Sequence, residues 1–222
     1  MDMQIKKNTV SARNQLPKKE YVTFIGDVNA DMKIAFVGNS ITRHGEAPQI
    51  GWNHNFGMAA SAIENDYVHR VIHKLEEKYD SVSACVCNAF QWETHYQEED
   101  ATYHYFQSVK AFHPDVLVMR LIENCSLDVF DFDIFRKEYE KFVDYLADEH
   151  TKIIFTTSFW KHPGDKAIEE VAKLKNSTCI YLGDLGEQDE MKAIGLFENS
   201  GVANHPGDLG MQAIAERILK VL

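Results

Sequence analysis

Lys33-Ile34-Ala35-Phe36-Val37 is an apolar run that leads directly into Gly38-Asn39-Ser40-Ile41-Thr42. Short apolar runs that end at a glycine are typical of strands buried on both faces of a parallel sheet. Gly38 permits a tight turn after this strand, and the turn lifts the hydroxyl of Ser40 above the sheet edge. The stretch therefore predicts a fold class and an exposed serine together, because sites in parallel sheets form at the carboxyl ends of the strands.

Strand-like runs alternate with helical patterns along the rest of the chain. After the 33–37 strand, further buried strands are predicted at 81–87, 115–121, 152–157 and 178–182, with a short edge strand at 21–25; helices are predicted at 57–79, 102–112, 135–147, 166–174 and 206–222. Within the first helix, Asp66 is the expected N-cap of the better-defined part. This alternation predicts an α/β fold, a five-stranded parallel sheet with helices on both faces.

Composition and length indicate one globular domain. The chain has 222 residues, 45% of them hydrophobic, which suits one sizeable core at 21–222 after a polar, loosely ordered segment at 1–20. The net charge of −11 disfavours a nucleic-acid partner. No apolar run approaches the roughly 18 residues that cross a bilayer, and the first residues lack the apolar core of a signal peptide. We therefore expect a cytoplasmic protein without membrane contact, of undetermined oligomeric state.

The cysteines and the glycine patterns predict neither a metal nor a cofactor. Cys85, Cys87, Cys125 and Cys179 lie in or beside apolar strand-like runs, as buried free thiols do, and form no CxxC zinc pattern. The sequence contains no GxxxxGK[ST] phosphate loop, no GxGxxG dinucleotide fingerprint and no GxSxG elbow.

Two further motifs accompany Ser40. Asn204-His205-Pro206-Gly207 lies directly before the last predicted helix, and Pro206 fixes the direction of His205, which suits a general base. Asn124 follows the strand at 115–121, where a side-chain amide can donate to an oxyanion. Taken singly, each motif has a plain alternative, since serines cap helices and histidines occur at helix boundaries.

Taken together and in this order, the motifs resemble the SGNH (GDSL-like) hydrolases. The family has four conserved sequence blocks. Residues 38–42 resemble the first block, which is usually GDS, and residues 88–90 fall where the second block is expected. Residues 120–124 resemble the third block, normally Gly-x-Asn, and residues 202–206 resemble the last, normally Asp-x-x-His-Pro. The resemblance covers about residues 33–222. It implies a three-layer α/β/α, flavodoxin-like fold and a serine esterase with Ser40 as nucleophile and His205 as its base. The implied oxyanion donors are the N–H of Ser40, the N–H near Ala89 and the amide of Asn124.

The sequence departs from the family pattern at three positions. Val202, Phe90 and Ile122 stand where the acid, the second-block glycine and the third-block glycine are expected. A valine cannot orient an imidazole, so three hypotheses stay open: a backbone carbonyl orients His205 in a Ser-His dyad, another carboxylate such as Glu198 does so, or the site is weak or inactive. Disabling the acid lowers the rate about 10⁴-fold in serine proteases, which is compatible with activity without requiring it.

The usual SGNH substrates include lipids, thioesters and acetylated carbohydrates, and flat aromatic rings suit sugar faces. We therefore expect a small-molecule ester, foremost an acetyl ester on a carbohydrate. The residues assigned to substrate binding are Asn39, Arg43, Trp52, Phe90, Trp92, Arg120, Glu123 and Trp160. Arg120 interrupts an apolar strand, so it is expected to pair with Glu123, Glu93 or the substrate. A second hypothesis is a catalytically silent carbohydrate-binding domain. A third hypothesis is a flavodoxin-like regulatory domain, which the sequence disfavours because no acidic phosphoacceptor cluster follows the first strand.

Overall fold

The computed structural model describes residues 21–27, 29–98 and 103–222, so the segment predicted at 1–20 lies outside the described residues. Its sheet has six strands in the order β1-β3-β2-β4-β5-β6. The strands are β1 (Val22–Ile25), β2 (Met32–Gly38), β3 (Val82–Asn88), β4 (Val116–Met119), β5 (Lys152–Thr156) and β6 (Thr178–Ile180). Only the pairing of β1 with β3 is antiparallel. The predicted five-stranded parallel sheet is therefore confirmed, with β1 added at one edge.

The helices form a layer on each face of the sheet. They are α1 (Tyr67–Glu76), α2 (Phe90–His95), α3 (Gln107–Lys110), α4 (Phe132–Leu146), α5 (Asp165–Leu174), α6 (Ser200–Ala203) and α7 (Asp208–Leu219), with 3-10 turns at Pro48–Ile50, Ile63–Asn65, Tyr103–Phe106, Leu127–Val129 and Asp189–Met191. Along β2, Ile34 and Phe36 enter the core under α1 and α7, while Ala35 and Val37 enter the core under α2, α4 and α5. This alternation explains why residues 34–37 of β2 are all apolar, since both faces of the strand are covered there.

Three predicted helices begin or end elsewhere. The helix predicted at 57–79 begins at Tyr67, because Asp66 Oδ1 accepts the N–H of His69 at 2.8 Å and caps it there. In the span predicted as 102–112, a 3-10 turn precedes the short α3. The last helix begins at Asp208, since Gly207 is extended at its N-cap. Of these three differences, only the one at Asp66 comes from a side-chain cap.

Other sequence predictions concern the cysteines and membrane spans. All four cysteines are free thiols, three of them buried and Cys179 partly so, as predicted. Within the described ranges, none of the helices has the length and hydropathy needed to span a bilayer.

Candidate active site

Ser40 and His205 are 165 positions apart in the sequence and meet above the carboxyl end of β2. Ser40 Oγ lies 2.8 Å from His205 Nε2. On the other side of the ring, Nδ1 lies 2.7 Å from the carbonyl oxygen of Gly201, which can only accept a hydrogen bond. The ring proton is therefore on Nδ1, and Nε2 is free to accept the proton of Ser40.

Backbone contacts hold the loop that carries His205. Asn199 caps the single turn of α6 by accepting the N–H of Val202 at 3.1 Å, and the N–H of His205 donates to the carbonyl of Val202 at 3.0 Å. The carbonyl of His205 accepts the N–H of Ala193 at 2.9 Å. The ring of Trp160 packs edge-on against the imidazole at 5.1 Å between centroids. These contacts fix both the position of the ring and its tilt.

Val202 occupies the family's acid position and contributes to the core. Its side chain is 1% exposed and belongs to the cluster between the sheet and the α1/α7 layer. Glu198 is exposed and has no hydrogen bond to His205, because the Gly201 carbonyl takes the place at Nδ1. The geometry therefore matches the backbone-carbonyl hypothesis, with Gly201 and not Glu198 at Nδ1.

The surroundings of His205 favour the neutral ring. Burial lowers the pKa of His205 to about 4; the Gly201 carbonyl opposes this shift, and the positive charge of Arg120 adds to it. At neutral pH the imidazole is consequently unprotonated and ready to act as a base.

The turn that carries Ser40 rests on a buried polar network centred on Asn39. The Asn39 amide nitrogen donates to Glu123 Oε2 at 2.6 Å and to Glu93 Oε1 at 3.1 Å. Its carbonyl oxygen accepts Arg120 Nη1 at 2.7 Å and the N–H of Ile41 at 3.3 Å. Every polar atom of the Asn39 side chain thus has a protein partner.

Arg120 and Glu123 form a buried ion pair below this turn. Glu123 Oε1 also accepts the N–H of Phe159 at 3.0 Å. Burial, and then the charge of Glu123, raise the pKa of the neighbouring Glu93 above its ordinary value. Asn39, Arg120 and Glu123 were predicted to bind substrate, but their side chains are buried and bind one another beneath Ser40.

Two of the three predicted oxyanion donors remain available. The N–H of Ser40 has no hydrogen-bond acceptor among the described residues, and Asn124 lines the pocket next to Ser40. The N–H of Ala89 instead donates to the carbonyl of Gly38 at 2.6 Å, and that of Phe90 to Asn88 Oδ1 at 2.9 Å. The Ala89 prediction is therefore wrong in this geometry, since the β2–β3 ladder continues past the end of β3.

Ser40 and His205 line a pocket of about 440 Å³, within the usual range for small-molecule sites. Its wall is formed by Tyr21, Ser40, His44, Gly45, Ile50, Met58, Asn88, Phe90, Gln91, Asn124, Asn199, Gly201, Val202 and His205. Of the predicted substrate residues, Phe90 lines this pocket and Trp160 contacts His205.

The remaining predicted substrate residues point away from the pocket. Trp52 is fully buried against Phe56, and Trp92 stacks on Phe142 in the opposite core, so neither lines the pocket. Arg43 is also buried. Aromatic residues near strand ends thus serve mainly to anchor loops onto the core.

Sequence reasoning gave Glu93 only one role, as a partner for Arg120, and did not name Gly201. No linear signal marks Gly201, because its contribution is a backbone carbonyl, which every residue possesses. The sequence also gave no sign that Glu93 is buried, because that follows from the packing of α2.

Comparison with known proteins supports the fold. No protein-family model matches the sequence, and no curated protein matches it significantly. Among solved structures, a lipase/acylhydrolase from Enterococcus faecalis superposes with a TM-score of 0.57 at 19% identity, covering 85% of this chain and 94% of the other. A GDSL-like lipase from Bacteroides ovatus gives 0.54 at 14% identity, with 85% and 96% covered.

A family two carbohydrate esterase from Clostridium thermocellum, solved with cellohexaose, gives a TM-score of 0.56 at 15% identity. The match covers 86% of this chain and 63% of that longer protein. The chain has the fold of the SGNH (GDSL-like) hydrolases, as the sequence motifs implied.

Proposed function

We propose that this protein is a serine ester hydrolase that works through a Ser40–His205 dyad. The observation that carries the proposal is the pair of contacts on one imidazole, Ser40 Oγ at Nε2 and the Gly201 carbonyl at Nδ1. A partly buried serine–histidine contact with the tautomer fixed in this way is the arrangement that activates a hydroxyl. The fold shared with lipases and esterases supports the same chemistry.

In the proposed mechanism, Nε2 of His205 takes the proton of Ser40 as Oγ bonds to the ester carbonyl carbon. The N–H of Ser40 and the Asn124 amide stabilise the oxyanion. When the tetrahedral intermediate collapses, the C–O bond to the alcohol breaks and the imidazolium returns its proton to the departing alkoxide. Water then attacks the acyl-serine, with His205 again as base, and releases the acid.

The Gly201 carbonyl replaces the family carboxylate in one of its two tasks. It holds the proton on Nδ1, so Nε2 always presents its lone pair to Ser40. In the serine-protease example the roughly 10⁴-fold loss comes from the wrong tautomer, a fault that this carbonyl prevents. A neutral carbonyl stabilises the imidazolium less than a carboxylate does, so turnover is expected to be modest.

For the substrate, we propose a small acyl ester, with acetyl on a carbohydrate as the first candidate. The pocket volume, the exposed ring of Phe90 at its wall and the fold shared with a carbohydrate esterase support this choice. Acetate release from acetylated oligosaccharides tests it. Phe90→Ala is expected to raise KM for the oligosaccharide about fivefold and to leave hydrolysis of p-nitrophenyl acetate almost unchanged.

The decisive experiment compares wild type, Ser40→Ala and Ser126→Ala in hydrolysis of p-nitrophenyl acetate and in labelling by a fluorophosphonate. Ser126 is an exposed serine without a side-chain capping bond and serves as the matched control. Wild type and Ser126→Ala are expected to turn over and label, and Ser40→Ala to do neither. Equal rates for wild type and Ser40→Ala would refute the proposal; binding of acetylated oligosaccharide without acetate release would indicate a silent binding domain.

A further inference from the structure

Glu93 is a fully buried carboxylate on α2 that accepts three hydrogen bonds from two other segments. Its Oε1 accepts the N–H of Ile122 at 2.6 Å and Asn39 Nδ2 at 3.1 Å, and its Oε2 accepts Asn124 Nδ2 at 2.6 Å. Two of these donors belong to the loop after β4, and the third belongs to the turn that carries Ser40. Glu93 therefore ties the proposed oxyanion donor to the nucleophile turn.

The loop after β4 adopts a conformation that its sequence does not favour. Ile122 has a φ of +150°, a backbone region that is essentially reserved for glycine and costs other residues about 1–3 kcal/mol. Its N–H is bound by Glu93, and its side chain lies against Gly164, which has no Cβ to block it. Contacts from distant parts of the chain thus hold the loop in place.

Glu93 also decides which way the Asn124 amide faces. The two oxygens of Glu93 accept hydrogen bonds from all three neighbouring groups, one of them the backbone N–H of Ile122, so the carboxyl group faces the amide nitrogen of Asn124 and not its oxygen. One hydrogen of that nitrogen is used by Oε2. Since Asn124 lines the pocket, the second hydrogen remains for a ligand there.

We infer that Glu93 is a positioning residue for the oxyanion site: it holds the backbone at Ile122 and directs the Asn124 amide toward the reacting carbonyl. This inference rests on the proposed ester hydrolysis and assigns to one buried side chain the task that a glycine performs in the family pattern. Glu93 acts through Asn124 and does not touch the substrate.

A double-mutant cycle tests the assignment, with hydrolysis of p-nitrophenyl acetate as the assay. Glu93→Gln puts an amide where only an acceptor fits, so kcat is expected to fall about 30- to 100-fold while KM stays within about threefold. Asn124→Ala is expected to lower kcat about 10²- to 10³-fold. In the double variant, Glu93→Gln should lower kcat by less than about threefold beyond the loss in Asn124→Ala, because its effect passes through Asn124. Glu98 is an exposed carboxylate after α2, so Glu98→Gln is the matched control.

Two further variants separate positioning from folding. Glu93→Asp keeps the charge but is one methylene shorter, so it cannot reach both Ile122 and Asn124, and a similar loss of kcat is expected. In the Glu93→Gln background, Ile122→Gly should recover part of kcat per labelled site, since glycine adopts the loop conformation without the carboxylate. Ile122→Ala truncates the same side chain, retains the Cβ and should recover none.

Each outcome is decisive. Wild-type kcat in Glu93→Gln or Glu93→Asp, or independent losses that multiply in the cycle, would overturn the inference and leave the esterase proposal intact. Loss of folding in both Glu93 variants would make the residue purely structural and also overturn it. A wild type that hydrolyses no faster than Ser40→Ala would overturn both proposals.

Discussion

The segment that carries the nucleophile and the segment that carries the base are held in different ways. At 38–42, the turn rests on buried charged and amide side chains, through Asn39, Arg120 and Glu123. At 199–205, peptide groups make most of the contacts that hold the loop, alongside the Asn199 cap, and the Gly201 carbonyl contacts the imidazole. Side-chain identity is therefore critical beneath Ser40, whereas around His205 the path of the backbone matters most.

This difference explains how a valine can occupy the family's acid position. Once a carbonyl orients the imidazole, the side chain at 202 is free to serve the core, and Val202 does so.

The largest effect is expected from Arg120→Met. Removing the guanidinium leaves Glu123 as an uncompensated buried charge and Asn39 Oδ1 without its donor, which should lower the free energy of unfolding by about 3–5 kcal/mol. Urea denaturation measures the change. Arg136→Met is the control, because Arg136 is partly exposed and its pair with Glu170 spans 3.8 Å, so a loss below about 1 kcal/mol is expected. Equal losses would show that the buried network has no special role.

Val202→Asp restores the family residue but should not restore a triad. The new carboxyl would be buried in an apolar cluster, and the Gly201 carbonyl already occupies Nδ1, so we expect a loss of at least about 3 kcal/mol and no gain in kcat. Val202→Ala, which removes volume without adding a charge, is the comparison. A more active Val202→Asp of undiminished stability would show that the base loop needs a carboxylate.

The lowered pKa of His205 predicts a pH-dependent stability. Between about pH 6.5 and 4, the unfolded chain binds a proton at His205 that the folded chain refuses, so this residue's contribution to stability falls as the pH falls. Over this range, wild type should lose about 2 kcal/mol of unfolding free energy relative to His205→Gln. This is less than the full change in pKa implies, because the ring is partly exposed. Both proteins retain Glu93, so its titration cancels. A constant difference would contradict the burial argument.

The smallest effect is expected from Glu198→Gln. Because this exposed side chain does not contact His205, kcat and KM for p-nitrophenyl acetate should stay within about twofold of wild type. A loss of a hundredfold or so would instead assign the acid role to Glu198.

Much of the fold could be predicted from the local hydrophobic pattern of the sequence. The strands were predicted to within a few residues, since apolar runs ended by glycine, proline or polar residues have few other solutions in a parallel sheet. The rule that the tight turn after a strand needs glycine holds at Gly38, because a Cβ there would lie 1.9 Å from Thr42 Oγ1. The rule that a positive φ requires glycine fails at Ile122, where Glu93 from another segment holds the backbone in that conformation. Trp52 and Trp92 were misplaced because sequence position does not show whether a ring after a strand turns inward or outward.

The sequence by itself determined the order of the strands and of the longer helices, the turn that presents Ser40 and the loop that presents His205, because periodicity, glycine and proline act over a few residues. The short helices α2 and α6 were not predicted. Only the tertiary structure decided that the side chains of Ser40 and His205 lie 2.8 Å apart, that the Gly201 carbonyl orients the imidazole and that Ala89 gives its N–H to the sheet. The physical reason is that peptide groups are the same at every position. Which of them meets a given side chain is settled by packing across the whole chain.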